Sequence, residues 1–310
     1  MFEPRPVPRE LGDSPTLRRA WLRAAALRPG CPPIVVSSAD GGVGRSTIVA
    51  ALGAVLAVAT PQPPAAVDAT GRGWGGLEHR VLRRNDATIW DLHAAWTRTG
   101  HLDQSTLDAM MQLGTSGLHT AVGEVQRSTS RRPLVLTESL QVVDAMRGAY
   151  PLLLIDAPVA DLAPVWRLLA GTICPVLVAR AGVDSLQHTM RLVAQLRAGG
   201  LQAAADKAVV VVVASMPRPS REVRAAVRQL GASVAAVVSV PFDPHLARPE
   251  PVDLSRMRAL TRRALVELAD AVFAACPADP ELAAGLLTPA GVSQAAFRPA
   301  RAVAADGGHQ

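Results

Sequence analysis

The apolar run Ile34-Val35-Val36 leads straight into Ser37-Ser38-Ala39-Asp40-Gly41-Gly42-Val43-Gly44-Arg45-Ser46-Thr47, and a second apolar run opens at Ile48-Val49-Ala50-Ala51-Leu52. A buried strand, a glycine-rich turn and a long apolar helix in that order predict a phosphate-binding loop. In such a loop, backbone N–H groups and a helix N-terminus converge on an anion. The loop comprises Gly41, Gly42, Val43, Gly44, Arg45, Ser46 and Thr47. Its cation is arginine, at a position where phosphate-binding loops carry lysine. The Ser46 hydroxyl is placed to ligate Mg²⁺.

Alternation of strand and helix continues along the chain. Strand-like apolar runs occur at 33–37, 64–68, 133–137, 151–155, 174–179, 208–214 and 235–240. Helix-like segments lie at about 46–59, 139–148, 161–170, 184–198, 219–231 and 254–275. Continuously apolar strands separated by helices predict a doubly wound, mostly parallel sheet with helices on both faces. The stretch 71–130 is polar and less regular, and is expected to hold insertions on one side of the sheet.

With 310 residues, 49% of them hydrophobic, the chain has enough apolar surface for one large α/β domain. Three units are expected: a basic Pro/Arg-rich tail at 1–30, the α/β domain at 31–276, and an Ala/Pro/Gly-rich disordered tail at 277–310. Lys207 is the only lysine, so arginine carries nearly all the positive charge. Part of the Lys-to-Arg exchange at position 45 therefore reflects overall composition.

Net charge is +6, a balance that favours nucleic acid or an anionic membrane surface as partner. Aromatic residues make up only 3%, which argues against a protein that stacks single-stranded bases. Cys31, Cys174 and Cys276 are odd in number and far apart, the pattern of reduced thiols in a cytoplasmic protein. Residues 1–30 lack the apolar segment of a secretory leader. The seven histidines show no metal-ligand spacing.

Asp40-Gly41-Gly42-Val43-Gly44-Arg45-Ser46-Thr47 resembles the deviant Walker A loop of MinD/ParA-family P-loop ATPases, whose usual form is Lys-Gly-Gly-Val-Gly-Lys-Thr-Thr. Further segments follow in the family's order. Val67-Asp68 resembles the strand end carrying an Asp-x-Asp pair, and Leu152-Leu153-Leu154-Ile155-Asp156-Ala157-Pro158 resembles its Walker B segment. Pro175 to Ala179 with Ser185-Leu186 is similar to the next strand and helix, and Val240-Pro241-Phe242-Asp243 to the late Pro-x-Asp loop. The likeness spans roughly 32–275. It implies a P-loop nucleotide site for ATP and Mg²⁺, with Ser46 and Asp156 on the metal and Asp68 and Asp156 as candidates for catalysis.

Four positions depart from the family pattern, and composition does not explain them all. The signature lysine that crosses a nucleotide-sandwiched dimer is Asp40, and the Walker A lysine is Arg45. The second Asp of Asp-x-Asp is Thr70, and the adenine-contacting Asn is missing from Ala214-Ser215-Met216. A carboxylate about 5 Å from a phosphate charge costs roughly 3 kcal/mol at an effective dielectric near 20. Asp40 is expected to face the phosphates and weaken ATP binding, to pair with Arg45, or to point to solvent.

These departures imply a degenerate site in a positioning or scaffolding protein that serves a partner machine, such as a secretion, pilus or segregation apparatus. The alternatives are an active ATPase cycling between monomer and homodimer, or a nonspecific DNA-binding protein. Arg221, Arg224 and Arg228 fall within about 60° on a helix at about 100° per residue, opposite Val223, Val227 and Leu230. They form either an ordinary solvated face or a phosphate-tracking stripe for DNA, which Arg256, Arg258, Arg262 and Arg263 would extend. Residues 16–28 form a short basic amphipathic helix in this reading, either packed on the domain or resting on a membrane surface. The expected location is cytoplasmic, including the membrane periphery or the nucleoid.

Overall fold

The computed structural model describes Thr16 and residues 33–60, 62–72, 76–123, 131–161, 163–216 and 218–275. Both expected tails, and with them the basic helix at 16–28 apart from Thr16, lie outside the described residues.

An eight-stranded sheet forms the centre, in the order β3-β4-β2-β5-β1-β6-β7-β8. Its strands are β1 (Ile34–Ser37), β2 (Ala65–Asp68), β3 (Gln112–Leu113), β4 (His119–Ala121), β5 (Leu153–Asp156), β6 (Pro175–Arg180), β7 (Val209–Val213) and β8 (Ala236–Val240). All neighbours pair in parallel except β3, which runs antiparallel to β4 at one edge. Residues on β1 alternate between two cores, with Ile34 and Val36 facing one and Val35 the other. That two-residue period buries both faces of the strand, which is why it reads as an unbroken apolar run.

On the first face lie α1 (Arg45–Ala59) and α9 (Ala259–Ala274). Almost every residue of α1 from Ile48 to Ala59 is buried, so it is apolar all round and runs through the centre of the domain. The second face is covered by α2 (Ile89–Thr99), α4 (Leu136–Met146), α5 (Ala163–Ala170), α6 (Val183–Ala198) and α8 (Arg221–Gly231), with the shorter α3 (Gln104–Met110) and α7 (Gln202–Asp206) beside them. The chain passes from β1 to β2 on one side of β1 and returns through β5 to β6 on the other. Their C-terminal ends therefore border a topological switch point, the place where ligands bind in open α/β sheets.

Two expectations are corrected. The apolar run 133–137 is not a strand: Leu136 already belongs to α4, and Val135 precedes it in extended conformation. Glu138 fixes that helix start by accepting from the Val135 N–H at 3.0 Å. A charged side chain just past the run, three residues after Val135, thus outweighed its strand-like composition. The irregular stretch 71–130, for its part, supplies β3 and β4 to the sheet itself. Both are too short to show a period in the sequence.

Candidate functional site

The loop after β1 ends in Gly44 at φ 94°, and Gly42 lies at φ 69°. These left-handed conformations favour glycine and turn the chain abruptly into α1. No side chain caps α1, so its first N–H groups remain available to an anion. A cleft of about 280 Å³ opens here, lined by residues 42–47 together with Gly76, His79, Arg80 and Pro249. The structure thus places the seven predicted loop residues across the glycine turn and the first turn of α1, six of them on one cleft.

Beneath the loop the two predicted carboxylates sit side by side, because Asp68 of β2 and Asp156 of β5 are partners in the parallel register. Both are buried. Ser46 Oγ donates to Asp156 Oδ2 at 2.5 Å. The Arg45 guanidinium folds inward, its Nη1 donating to Ser38 Oγ at 2.8 Å and its Nε lying 3.7 Å from Asp156 Oδ1. That Oδ1 makes no hydrogen bond to any described residue. Asp68 Oδ1 accepts from both the N–H and the hydroxyl of Thr70, at 3.0 and 2.6 Å.

Burial, with the neighbouring Asp68 charge adding to it, pushes Asp156 up to about 7; Ser46 and Arg45 work in the opposite direction. Burial also raises Asp68, against the Thr70 hydrogen bonds and the Arg45 charge. Two carboxylates this close and this dry do not both ionise easily without a cation.

Position 40 is corrected: Asp40 neither pairs with Arg45 nor points freely to solvent. Its carboxylate accepts from Ser185 Oγ at 2.7 Å and from His188 Nδ1 at 2.7 Å, two residues of α6. The Ser185 oxygen accepts in turn from the Arg180 N–H at 3.1 Å, which directs its proton to Asp40. Sequence reasoning missed Ser38 and His188. The i, i+3 spacing of Ser185 and His188 on one helix face was the available signal for the latter.

The oxygen donors fit Mg²⁺, a hard cation that takes one or two protein oxygens and completes its shell with phosphate oxygens and water. Among the described residues no group of three or more His, Cys, Asp or Glu side chains could hold a metal alone. A phosphate ligand would therefore have to share the ion.

No protein-family model matches the chain. Over 255 residues it is 29% identical to the ESX-1 secretion-associated protein EspI of Mycobacterium tuberculosis, an alignment covering 78% of this chain. The chain spans about a third of that relative's length, 36%. Among solved structures it is similar to a ParA-family ATPase from Chlorobium tepidum, with TM-score 0.54, 16% identity and coverage of 77% of this chain and 98% of that one. The septum site-determining protein MinD from Pyrococcus horikoshii, solved with Mg-ADP, matches with TM-score 0.53 and 18% identity, covering 77% and 94%. The fold is that of the MinD/ParA P-loop ATPases.

Proposed function

We propose that this chain is a MinD/ParA-like module with a degenerate nucleotide site, which holds Mg–ATP weakly, turns it over little or not at all, and positions or scaffolds the protein partners of a secretion machine. The observation that carries this reading is the inward-folded Arg45. Its guanidinium is already engaged by Ser38 and Asp156, so a nucleotide must compete for it. Ser46, the metal's expected hydroxyl ligand, is likewise engaged by Asp156. Thr70, in place of a second carboxylate, donates to Asp68 and offers no base of its own. Bound Mg²⁺ would supply charge neutralisation for the terminal phosphates.

The assignment to a secretion machine is carried over from the ESX-1 secretion-associated relative. Among the described residues no helix is long and apolar enough to cross a membrane. Membrane association through residues 16–28 remains a separate proposal.

Steady-state ATP hydrolysis by the purified chain is expected to match that of an Asp156→Ala control, in parallel with a Mg–ATP binding titration. Turnover clearly above the control would replace this reading with that of an active ATPase, and nucleotide-dependent dimerisation would strengthen that alternative.

A second reading, DNA binding, is favoured by α8. Arg221, Arg224 and Arg228 are all exposed on it, while Val223, Ala226 and Leu230 face the core. Log affinity for duplex DNA should then fall with log salt at about −0.9 per phosphate contact. The triple change to alanine should flatten that slope by about two to three units and leave the fold intact. Absence of DNA binding at about 50 mM salt would reduce the stripe to a solvated face.

A further inference from the structure

The cleft has a second wall, pressed against the start of α1. The turn Gly76 to Arg80 crosses the first turn of α1 so closely that a Cβ built on Gly76 would lie 2.7 Å from Ser46 Oγ. Glycine permits that approach without a collision. Leu77, fully buried, anchors one end of the turn in the core beside α1.

Arg80 fastens the other end to the loop that follows β8. Its carbonyl accepts from the Val252 N–H at 2.9 Å, and its guanidinium donates to the carbonyls of Leu246 (3.2 Å) and Arg248. Between the two anchors stands His79, exposed, lining the cleft together with the phosphate loop and bonded to no described residue. Glu78, the acidic neighbour, is occupied by Arg83 at 3.3 Å. Beneath the loop Asp156 Oδ1 is buried without a hydrogen bond, with the Arg45 Nε 3.7 Å away.

We propose that His79 is a ligand-contacting residue of this cleft, donating to a phosphate group seated on the loop, and that Arg80 is the residue that positions it. The proposal rests on the reading that the loop binds a phosphate ligand. The geometry favours a di- or triphosphate over a single phosphate. The loop and His79 line one cleft of about 280 Å³, wider than a single phosphate fills, and a Mg²⁺ held by Ser46 and Asp156 would complete its shell with phosphate oxygens and water. The imidazole has an N–H donor in either protonation state.

The test is calorimetric titration of the full chain with Mg–pyrophosphate and with Mg–ATP, alongside thermal unfolding of each variant. His79→Ala should weaken both ligands about tenfold, the size of one charge-assisted hydrogen bond. His79→Gln, which keeps an N–H donor, should recover part of that loss at an unchanged melting temperature. Arg80→Ala should weaken binding in the parent background and cost nothing further in His79→Ala, because it acts through His79.

Binding within twofold of the parent in His79→Ala overturns the proposal while leaving the loop reading intact, provided Arg45→Ala still loses affinity. Tighter binding in Arg80→Ala also overturns it, since the turn would then obstruct the loop. If the parent itself binds neither ligand, the loop reading and this proposal fall together.

Discussion

Asp156→Asn is expected to stabilise the ligand-free protein at pH 8 and to leave it nearly unchanged at pH 4. The carboxyl of Asp156 is fully buried and rises from an ordinary carboxylate value to about 7, chiefly through burial and secondarily through Asp68. A folded-state pKa above the unfolded one means the folded protein binds the extra proton. Its contribution to stability is fully present below about pH 4 and is lost as pH rises toward 7. At ~1.4 kcal/mol per unit, the shift corresponds to roughly 4 kcal/mol across that window. Asparagine carries no charge at any pH and keeps an oxygen to accept the Ser46 proton.

The quantity to measure is the difference in unfolding free energy between the variant and the parent, by urea titration from pH 4 to pH 8. It should grow steadily in the variant's favour over that range. A difference that is flat, or that shrinks, would mean Arg45 holds Asp156 ionised throughout. Taking the difference cancels the exposed pairs, such as Arg132–Glu138, that titrate in both proteins.

Much of this site was legible in the sequence because its parts are local. The glycine turn after Ile34-Val35-Val36 dictates a phosphate loop through backbone geometry alone, and Asp68 and Asp156 close strands whose apolar runs are unmistakable. The sheet's parallel register then brings the two carboxylates together without any further signal. What stayed hidden depends on contacts between distant segments. Asp40 meets Ser185 and His188 across 145 and 148 residues, and Arg80 meets Leu246 across 166. No period or composition encodes such pairs. The run 133–137 misled for the opposite reason: its local β propensity was real, but the cap supplied by Glu138 and the packing of Val142, Val143 and Met146 in the second core decided for a helix.

The double substitution Asp40→Lys with Arg45→Lys is expected to raise affinity for Mg–ATP by at least about tenfold. Arginine's planar fork is engaged by Ser38 and Asp156, whereas a lysine ammonium is a compact point charge that can turn to a phosphate. Asp40 contributes the second part. Ser185 and His188 hydrogen-bond its carboxylate, but negative charge at the head of an anion-binding loop still opposes a polyphosphate. Replacing it leaves Ser185 with its Arg180 N–H contact and leaves His188, half-exposed, to water, so the fold should lose little. Isothermal titration of the parent, both single variants and the double variant separates the two contributions. If Arg45→Lys alone gives the whole gain, the Asp40 carboxylate, held by α6, does not act on the bound phosphates. If the double variant binds no better than the parent at an unchanged melting temperature, neither residue 40 nor residue 45 limits nucleotide binding. The weak site would then have to be traced to the closed approach of Gly76 over Ser46.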